Sequence, residues 1–492
     1  MTKVPGWIDA RLDELVEVLD SRRIPVNSAE RDARIAGKRA GELYPYYGAT
    51  GRVGSIDDFL FDEPLVLLGE DGVPFLDPLR NKAYLIEGRS WVNNHAHVLR
   101  AIAQIADHRY VSYCLNGYDY TGVVTGSTRL KLTQAAMREM RLPLPPMAEQ
   151  KRIADKLDAL LARVDACRDR LDRVPAILKR FRQSVLTSAA RGDLTSEWRG
   201  AQAPSLNGRD LVCLLEEAHE SAGGHKAGNA SPPTEGAHDL HEHEFPDGWG
   251  MTTLRSAVLP DRPITYGILK PGPELAEGVP YVRVADFPND RLNLTGVRKT
   301  SAAIDAEFKR SRLRAGDLLL SIRGTVGRLI VIPPELENAN ITQDSARISV
   351  QPLLSASFVP WFLRSEMAQS RMRRAVKGVA VRGLNIGDVR ALQLPIPSRA
   401  EQEEIVRRVE ALFALADTLE ARVATARAQV ERLTPALLSK AFRGELVPQD
   451  PNDEPASALL ARIRQSGASA SDSAREAPAS KANRGARGKR AA

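Results

Sequence analysis

Between residues 153 and 185 the apolar positions advance in strict steps of four and three: Ile153, Leu157, Leu160, Val164, Cys167, Leu171, Val174, Leu178, Phe181 and Val185. A period of 3.5 residues lays a narrow apolar stripe along a helix, the geometry of a seam against one facing helix rather than of a broad globular face. The rhythm returns at Ile405, Val409, Leu412, Ala416, Leu419, Val423, Ala426, Val430, Leu433 and Leu437. One such stripe is equally compatible with ordinary core packing. Two of matched length point to each burying the other within one chain. Pro175 and Pro435 fall inside these runs, where each removes a backbone donor, so a local bend or break is expected at both.

The stripes belong to a longer internal repeat, which runs for 53 residues without a gap at a constant offset of 252. LPLPPMAEQKRIADKLDALLARVD from Leu142 matches LPIPSRAEQEEIVRRVEALFALAD from Leu394, and SAARGDL ending at Leu194 matches SKAFRGEL ending at Leu446. Each copy closes a segment that opens on a Gly-Trp pair, Gly6-Trp7 and Gly248-Trp249. The chain therefore reads as variable region, repeated helix, variable region, repeated helix. If the helices pack antiparallel, a pseudo-two-fold relation follows, which is also the symmetry of duplex DNA. From Ile153 to Val185 a helix runs roughly 48 Å at about 1.5 Å per residue, comparable to one and a half turns of DNA at about 34–36 Å per turn. Two unlike domains on such a spacer suit two unlike half-sites across an unread gap.

Composition bounds the picture without deciding it. The 492 residues exceed one ordinary core and predict two to four domains, and 43% hydrophobic with 27% charged residues is the composition of a soluble globular protein. No apolar run is long enough for a membrane span and the N-terminus carries no export signal, so a cytoplasmic location is expected. Cys114, Cys167 and Cys213 lie far apart, which excludes a disulfide framework and the usual thiolate zinc spacings. The net charge of +7 is concentrated in the tail. Residues 466–492 hold Arg475, Lys481, Arg484, Arg487, Lys489 and Arg490 against Asp472 and Glu476. The body is nearly balanced, so any DNA-binding face must be a local patch.

Candidate contacts sit in loops. Tyr47, Gly48, Gly51 and Gly54 surround Arg52 with open backbone that either approaches a phosphate closely or simply makes a hairpin turn. RAGDLLLSIRGTVGR reads as a turn, a buried strand from Leu318 to Ile322, and a basic loop with Arg323 and Arg328, a backbone or guanine contact or else a solvated turn. A Gly-punctuated basic segment precedes each LPLP element: VVTGSTRLKL with Arg129 and Lys131, and VKGVAVRGLNI with Lys377, Arg382 and Asn385. Their shared placement points to phosphate anchoring. Asn93, Asn94, Asn340 and Gln343 have the bidentate amides that read adenine, and His95 joins them in NNHAH, where recognition or packing is favoured over metal binding.

With these pieces in place, the chain closely resembles the specificity subunit of type I restriction-modification systems, over roughly residues 5–199 and 245–465. The resemblance rests on LPLPP with Glu149 and Gln150 through Arg191, Gly192 and Leu194, and LPIPS with Glu401 and Gln402 through Arg443, Gly444 and Leu446, recurring in order twice. YPYYGATGRVGSIDDFLFDEPLVLLGEDG, WVNNHAHVLR and GVPYVRVADF are also similar to family segments. The resemblance implies an α+β fold in which two globular α/β target-recognition domains are separated by two long antiparallel coiled-coil helices with pseudo-two-fold symmetry. It divides the chain into a first recognition domain (1–146), a first long helix (147–199), a flexible linker (200–244), a second recognition domain (245–398), a second helix with a C-terminal conserved region (399–465) and a disordered basic tail (466–492). It further implies double-stranded DNA, two methyltransferase subunits and restriction/translocase subunits as partners. No cofactor is expected on this chain, with S-adenosylmethionine, ATP and Mg on the partners.

An enzyme reading lacks its parts: the sequence shows no methyltransferase Asn-Pro-Pro-aromatic motif, no Gly-rich cofactor loop, no Walker A lysine and no persuasive nuclease cluster. A self-contained enzyme with unrecognised motifs and a coiled-coil adaptor that never touches DNA are the alternatives. His219, His225, His238, His241 and His243 crowd residues 201–245, but the surrounding Gly, Ser, Pro and Ala are linker composition, so no metal site is expected.

Overall fold

The computed structural model describes residues 4–202, 204–222, 240–241, 244–376 and 383–462. The chain divides into two compact units, Met1–Asp172 with Ala424–Ala492, and Arg173–Val423. Among the described residues no helix is long and apolar enough to cross a membrane.

In the first unit the residues after Trp7 form strand β1 (Ile8–Arg11), and β2 (Val16–Val18) follows. The variable region then supplies β3 (Tyr44–Gly48), β4 (Gly51–Ile56), β5 (Phe61–Asp62), β6 (Leu65–Gly69), β7 (Ala83–Ile86), β8 (Arg89–Val92) and β9 (Ala96–Ala101). The LPLP element is β10 (Arg141–Leu144), and it pairs antiparallel with β1 so that Ile8 faces Leu144. One sheet runs β2-β9-β6-β7 and another β4-β3-β8-β5, with β3 and β8 parallel. Leu65 to Leu68 are all fully buried, as expected of a central strand covered on both faces.

The second unit repeats this order with different residues. β11 (Gly250–Thr253) follows Trp249 and pairs with β19 (Gln393–Ile396), the second LPLP element. Between them lie β12 (Thr265–Tyr266), β13 (Val279–Val282), β14 (Arg298–Thr300), β15 (Leu318–Ser321), β16 (Leu329–Val331), β17 (Asn340–Ile341) and β18 (Ser345–Ile348). The sheets run β12-β18-β15-β16 and β14-β13-β17, and here β13 and β17 are the parallel pair.

Each unit is closed by the motifs that repeat in the sequence. Trp7 Nε1 donates to Glu149 Oε2 at 2.9 Å, and Trp249 Nε1 donates to Glu401 Oε2 at 3.0 Å. The neighbouring glutamines, Gln150 and Gln402, are wholly buried and donate to Pro145 O and Pro397 O at 3.0 Å each. The Glu-Gln pair is thus a buried latch between helix start and strand pair, although among the described residues Glu149 Oε1 of the first unit has no hydrogen-bond partner and burial raises that carboxyl. In the second unit Glu401 also accepts from Thr195 Oγ1 at 2.7 Å and Arg199 Nε at 2.9 Å. Gly192 ends its helix at φ +79, and a Cβ there would lie 2.6 Å from Pro246 Cγ and 2.9 Å from the Trp249 ring, so only glycine fits.

The two stripes form two long helices, Met147–Arg191 and Arg399–Phe442. Each contributes one half to each unit. In the first unit Ile153 and Leu157 share a core with Leu438 and Ala441, and further along Arg427 pairs with Asp172. That order makes the two segments antiparallel. In the second unit Val185, Ala189 and Ala190 pack with Ile405 and Val409, while Arg182 reaches Asp417 at 2.5 Å and Glu420 at 2.9 Å, again antiparallel.

Ile153, Leu157, Val164, Leu178, Ile405 and Val409 are buried, and Leu160, Leu171, Leu412, Val423 and Val430 are half-buried. Leu419 is 39% exposed and Leu433 44% exposed, and Cys167 is exposed as well, so these three correct the expected seam. Where a helix has only one other helix to face, a drift of the stripe leaves side chains at its margin in water. Of the bend or break expected at the prolines, the break is corrected: both helices run unbroken through Pro175 and Pro435, since a proline removes one backbone donor and leaves the other hydrogen bonds of its turn in place. Leu157→Ala is expected to destabilise the first unit by about 2–5 kcal/mol and Leu419→Ala by less than about 0.5 kcal/mol, to be read by hydrogen exchange of helix amides. Equal effects would contradict the observed seam.

The linker reading also needs correction. Residues Gly208–Ser221 form a helix capped by Asn207, whose side chain accepts from Arg209 N and Asp210 N. Its Leu211 and Leu215 are buried in the second unit's core, and His219 Nε2 lies 2.9 Å from Val258 O. Two buried leucines one turn apart are enough to dock a short helix whatever the composition around it. His225, His238 and His243 lie outside the described residues, as does the tail from 463 onward.

Candidate nucleic-acid interface

In the first unit the parallel pair β3/β8 delivers a three-residue loop, Asn93 to His95, ahead of β9. Asn93 N donates to Tyr47 O at 3.0 Å, and His95 N donates to Asn93 Oδ1 at 2.9 Å. Gly48 is where β3 passes Asn93: a Cβ there would lie 3.2 Å from Asn93 Nδ2 and 3.0 Å from Val53. Tyr84 donates to Gly48 O at 2.5 Å, and burial raises the Tyr84 hydroxyl well above the usual tyrosine range. Arg52 is exposed on the hairpin, where it bonds Gly54 O and Ser55 Oγ. The segment is thus the hairpin turn of the two alternatives, with Arg52 exposed on it. Asn94 is exposed as well.

The basic segment joins this loop through acids that sequence reasoning passed over. Asp71, just beyond β6, accepts on Oδ1 from Arg129 NH2 at 2.7 Å and faces His95 Nδ1 at 2.9 Å. Lys131 pairs with Glu70 at 3.2 Å, and Asp71 and Lys131 form a backbone bridge. The available signal was the strand-end acid pair in LVLLGEDG, overlooked because anions are not expected beside phosphate. Beneath the cluster the buried His97 faces Asp20 Oδ2 at 2.6 Å and Leu132 O at 3.0 Å. Burial opposes charge on Asp20, but His97, the Val98 amide and Arg23 outweigh it and hold the carboxyl below its ordinary range.

The second unit builds a comparable arrangement, with Thr342 N donating to Val282 O at 3.2 Å where Asn93 N donates to Tyr47 O. A three-residue loop, Thr342 to Asp344, joins β17 to β18, as Asn93 to His95 joins β8 to β9. Gln343 N donates to Ile268 O at 2.9 Å, and Arg323 NH1 donates to Gln343 Oε1 at 2.8 Å. Arg323 forms a backbone bridge with Gly383. Both partners of that bridge stand 252 positions after Asp71 and Lys131, the offset of the helix repeat. The two regions thus share one scaffold, although the residues at its tip have diverged.

Other candidates are placed elsewhere. Asn340 is fully buried, accepting from Ser311 Oγ at 2.7 Å and donating to Asp305 Oδ1 at 2.8 Å, so its amide is structural. Asn385 caps the helix Ile386–Ala391 by accepting from Asp388 N at 2.8 Å. Arg328 is half-buried, its amide donating to Ser321 Oγ at 2.8 Å. Lys377 and Arg382 lie outside the described residues.

Residues 5–175 and 272–426 match the family described as type I restriction modification DNA specificity domain. The chain belongs to that specificity family. Within it, the chain is 36% identical to the EcoBI specificity subunit of Escherichia coli over 72% of this chain and 71% of that one. It is 27% identical to the EcoDI specificity subunit, also of Escherichia coli, over 94% of this chain and 96% of that one. The fold is similar to a crystal structure of an HsdS subunit from Thermoanaerobacter tengcongensis, with a TM-score of 0.51 at 17% identity over 90% of this chain and 97% of that chain. Specificity subunits select a DNA target and are not themselves catalytic, which is the role this family membership gives the chain.

Proposed function

We propose that the two units each read one half of a split, asymmetric DNA target, and that the long helices set the spacing between the half-sites and dock two methyltransferase subunits. The observation that carries this reading is the loop constellation around Asp71 and Arg323, built twice on one scaffold with unlike residues. Unlike tips on like frames read unlike sequences. The repeated helices argue for two copies of one partner, because their starts carry matching sequences, LPLPPMAEQ and LPIPSRAEQ, and so offer similar surfaces. The working boundaries are 1–146 and 245–398 for the recognition domains. S-adenosylmethionine is assigned to the methyltransferase partner, ATP and Mg to restriction/translocase subunits, and the assembly to the cytoplasm. Exposed cations such as Arg52 and Arg129 anchor phosphates, and the polar loop tips read base edges in the major groove.

The test is to co-express the full chain with the methyltransferase subunit from its own genome and map methylated adenines by single-molecule sequencing. Two unlike half-motifs around a gap of constant length are expected. A continuous motif, or the same methylation without this chain, would overturn the reading.

A further inference from the structure

Positions 71 and 323 occupy the same place in the two units, yet carry opposite chemistry. Each lies just past a buried central strand, β6 or β15, and each bridges backbone to backbone with the segment leading to the LPLP strand. Each is also held by the three-residue loop that follows the parallel strand pair: Asp71 by His95 at 2.9 Å, Arg323 by Gln343 at 2.8 Å. In the first unit the tip is an acceptor. Asp71 Oδ1 takes both Arg129 and His95, while among the described residues Oδ2 has no protein donor. In the second unit the tip is a donor. Arg323 is exposed and uses one guanidinium nitrogen on Gln343, and among the described residues its other nitrogens have no acceptor.

These side chains are oriented by a neighbour and retain unused hydrogen-bonding capacity, which is what direct base reading requires. A planar guanidinium fixed at one edge matches the O6 and N7 acceptors of guanine, whereas a carboxylate matches the exocyclic amino group of cytosine or adenine. Exposed apolar residues lie on both scaffolds, Val53 beside Gly48 at 51% and Leu269, next to the Ile268 carbonyl that accepts from Gln343, at 49% exposed, suited to a thymine methyl or a sugar face. A phosphate anchor would not explain Asp71, since a carboxylate repels phosphate.

Resting on the bipartite reading above, we propose that Asp71 and Arg323 are the equivalent specificity-determining residues of the two units, Asp71 accepting from a base amino group and Arg323 donating to guanine. His95 with Arg129, and Gln343, act as positioning residues for them.

The experiment compares the full chain with Asp71→Asn and Arg323→Gln, each co-expressed with the methyltransferase subunit, by mapping the methylated motif. Arg323→Gln is expected to relax or change a guanine position in one half-motif only, with about ten- to hundredfold loss of discrimination there. Asp71→Asn is expected to do so at a cytosine or adenine position of the other half only, and which base changes identifies the amino group read. The gap stays constant in both. If a variant abolishes methylation, the purified complex carrying it, or carrying Arg323→Lys or Asp71→Glu, is used to select DNA from a pool randomised in both half-sites. An unchanged selected motif overturns the proposal. So does an unchanged methylated motif with uniformly weaker modification and a shallower salt dependence, the signature of a lost phosphate contact. A wild-type chain that yields no split motif would instead count against the bipartite reading itself.

Discussion

Replacing Trp249 by alanine will cost the second unit about 3–5 kcal/mol, the range for deleting a large aromatic from a packed core. The indole is 2% exposed and stacks on Phe245 with centroids 6.0 Å apart and planes 11° from parallel. Its loss opens a cavity and also removes the donor from Glu401 Oε2, leaving that buried carboxylate with Thr195 and Arg199. Because a chain of two units need not unfold in one step, the measurement is hydrogen exchange on the whole chain, resolved by segment. Amides of β11 and β19 should lose protection while β1 and β10 keep theirs, and Trp7→Ala should give the reverse. Trp249→Phe, which keeps a ring but not the donor, should fall between, at about 1–3 kcal/mol. Uniform loss across both units would show that the Trp-Glu pairs are not local latches.

The second large effect is expected at Gly208, where the helix Gly208–Ser221 meets the second unit backbone to backbone. Gly208 N donates to Gly248 O at 2.7 Å, and a Cβ on Gly208 would lie 1.8 Å from Ile396 O and 2.7 Å from Gly250 N. Neither neighbour can yield, since both belong to the β11/β19 pair. Gly208→Ala should therefore reach or exceed the upper end of the ~1–3 kcal/mol typical of overpacking, and release the helix. Exchange protection across 208–221 should fall, and Leu211 and Leu215 should become accessible to an apolar dye. Gly41→Ala, with nothing within 4 Å of its added Cβ, is the matched control. Full protection of the helix in the Gly208 variant would show that it docks in some other way.

Periodicity and repetition made the long helices legible, because a seam of one helix against another leaves a strict mark on the chain. The Gly-Trp and Glu-Gln motifs were visible as repeats, but not that tryptophan meets glutamate, since their partnership spans 142 residues in one unit and 152 in the other. The short helix at 208–221 was hidden by the linker composition that follows it, although Asn207 and Asp210 form a capping box just ahead of Leu211. The shared scaffold of the two recognition regions was invisible for a different reason. Backbone pairing preserves a bridge whatever side chains it carries, so Asp71 and Arg323 hold one place with opposite charge. Asn340 shows the converse: its amide type suited base reading, but burial beside Asp305 and Ser311 committed it to the core.

The division of the long helices between the units also sets an order in time. The second unit draws only on residues 173–423, so all of it has been made once Val423 leaves the ribosome. The first unit begins earlier, but the core that holds Ile153 and Leu157 is completed only when Leu438 and Ala441 are synthesised. At ~5–20 residues per second, that wait lasts roughly 15 to 60 seconds. The unit whose translation starts first is thus the last to be completed, and during that interval the surface that later receives Leu438 and Ala441 stays open.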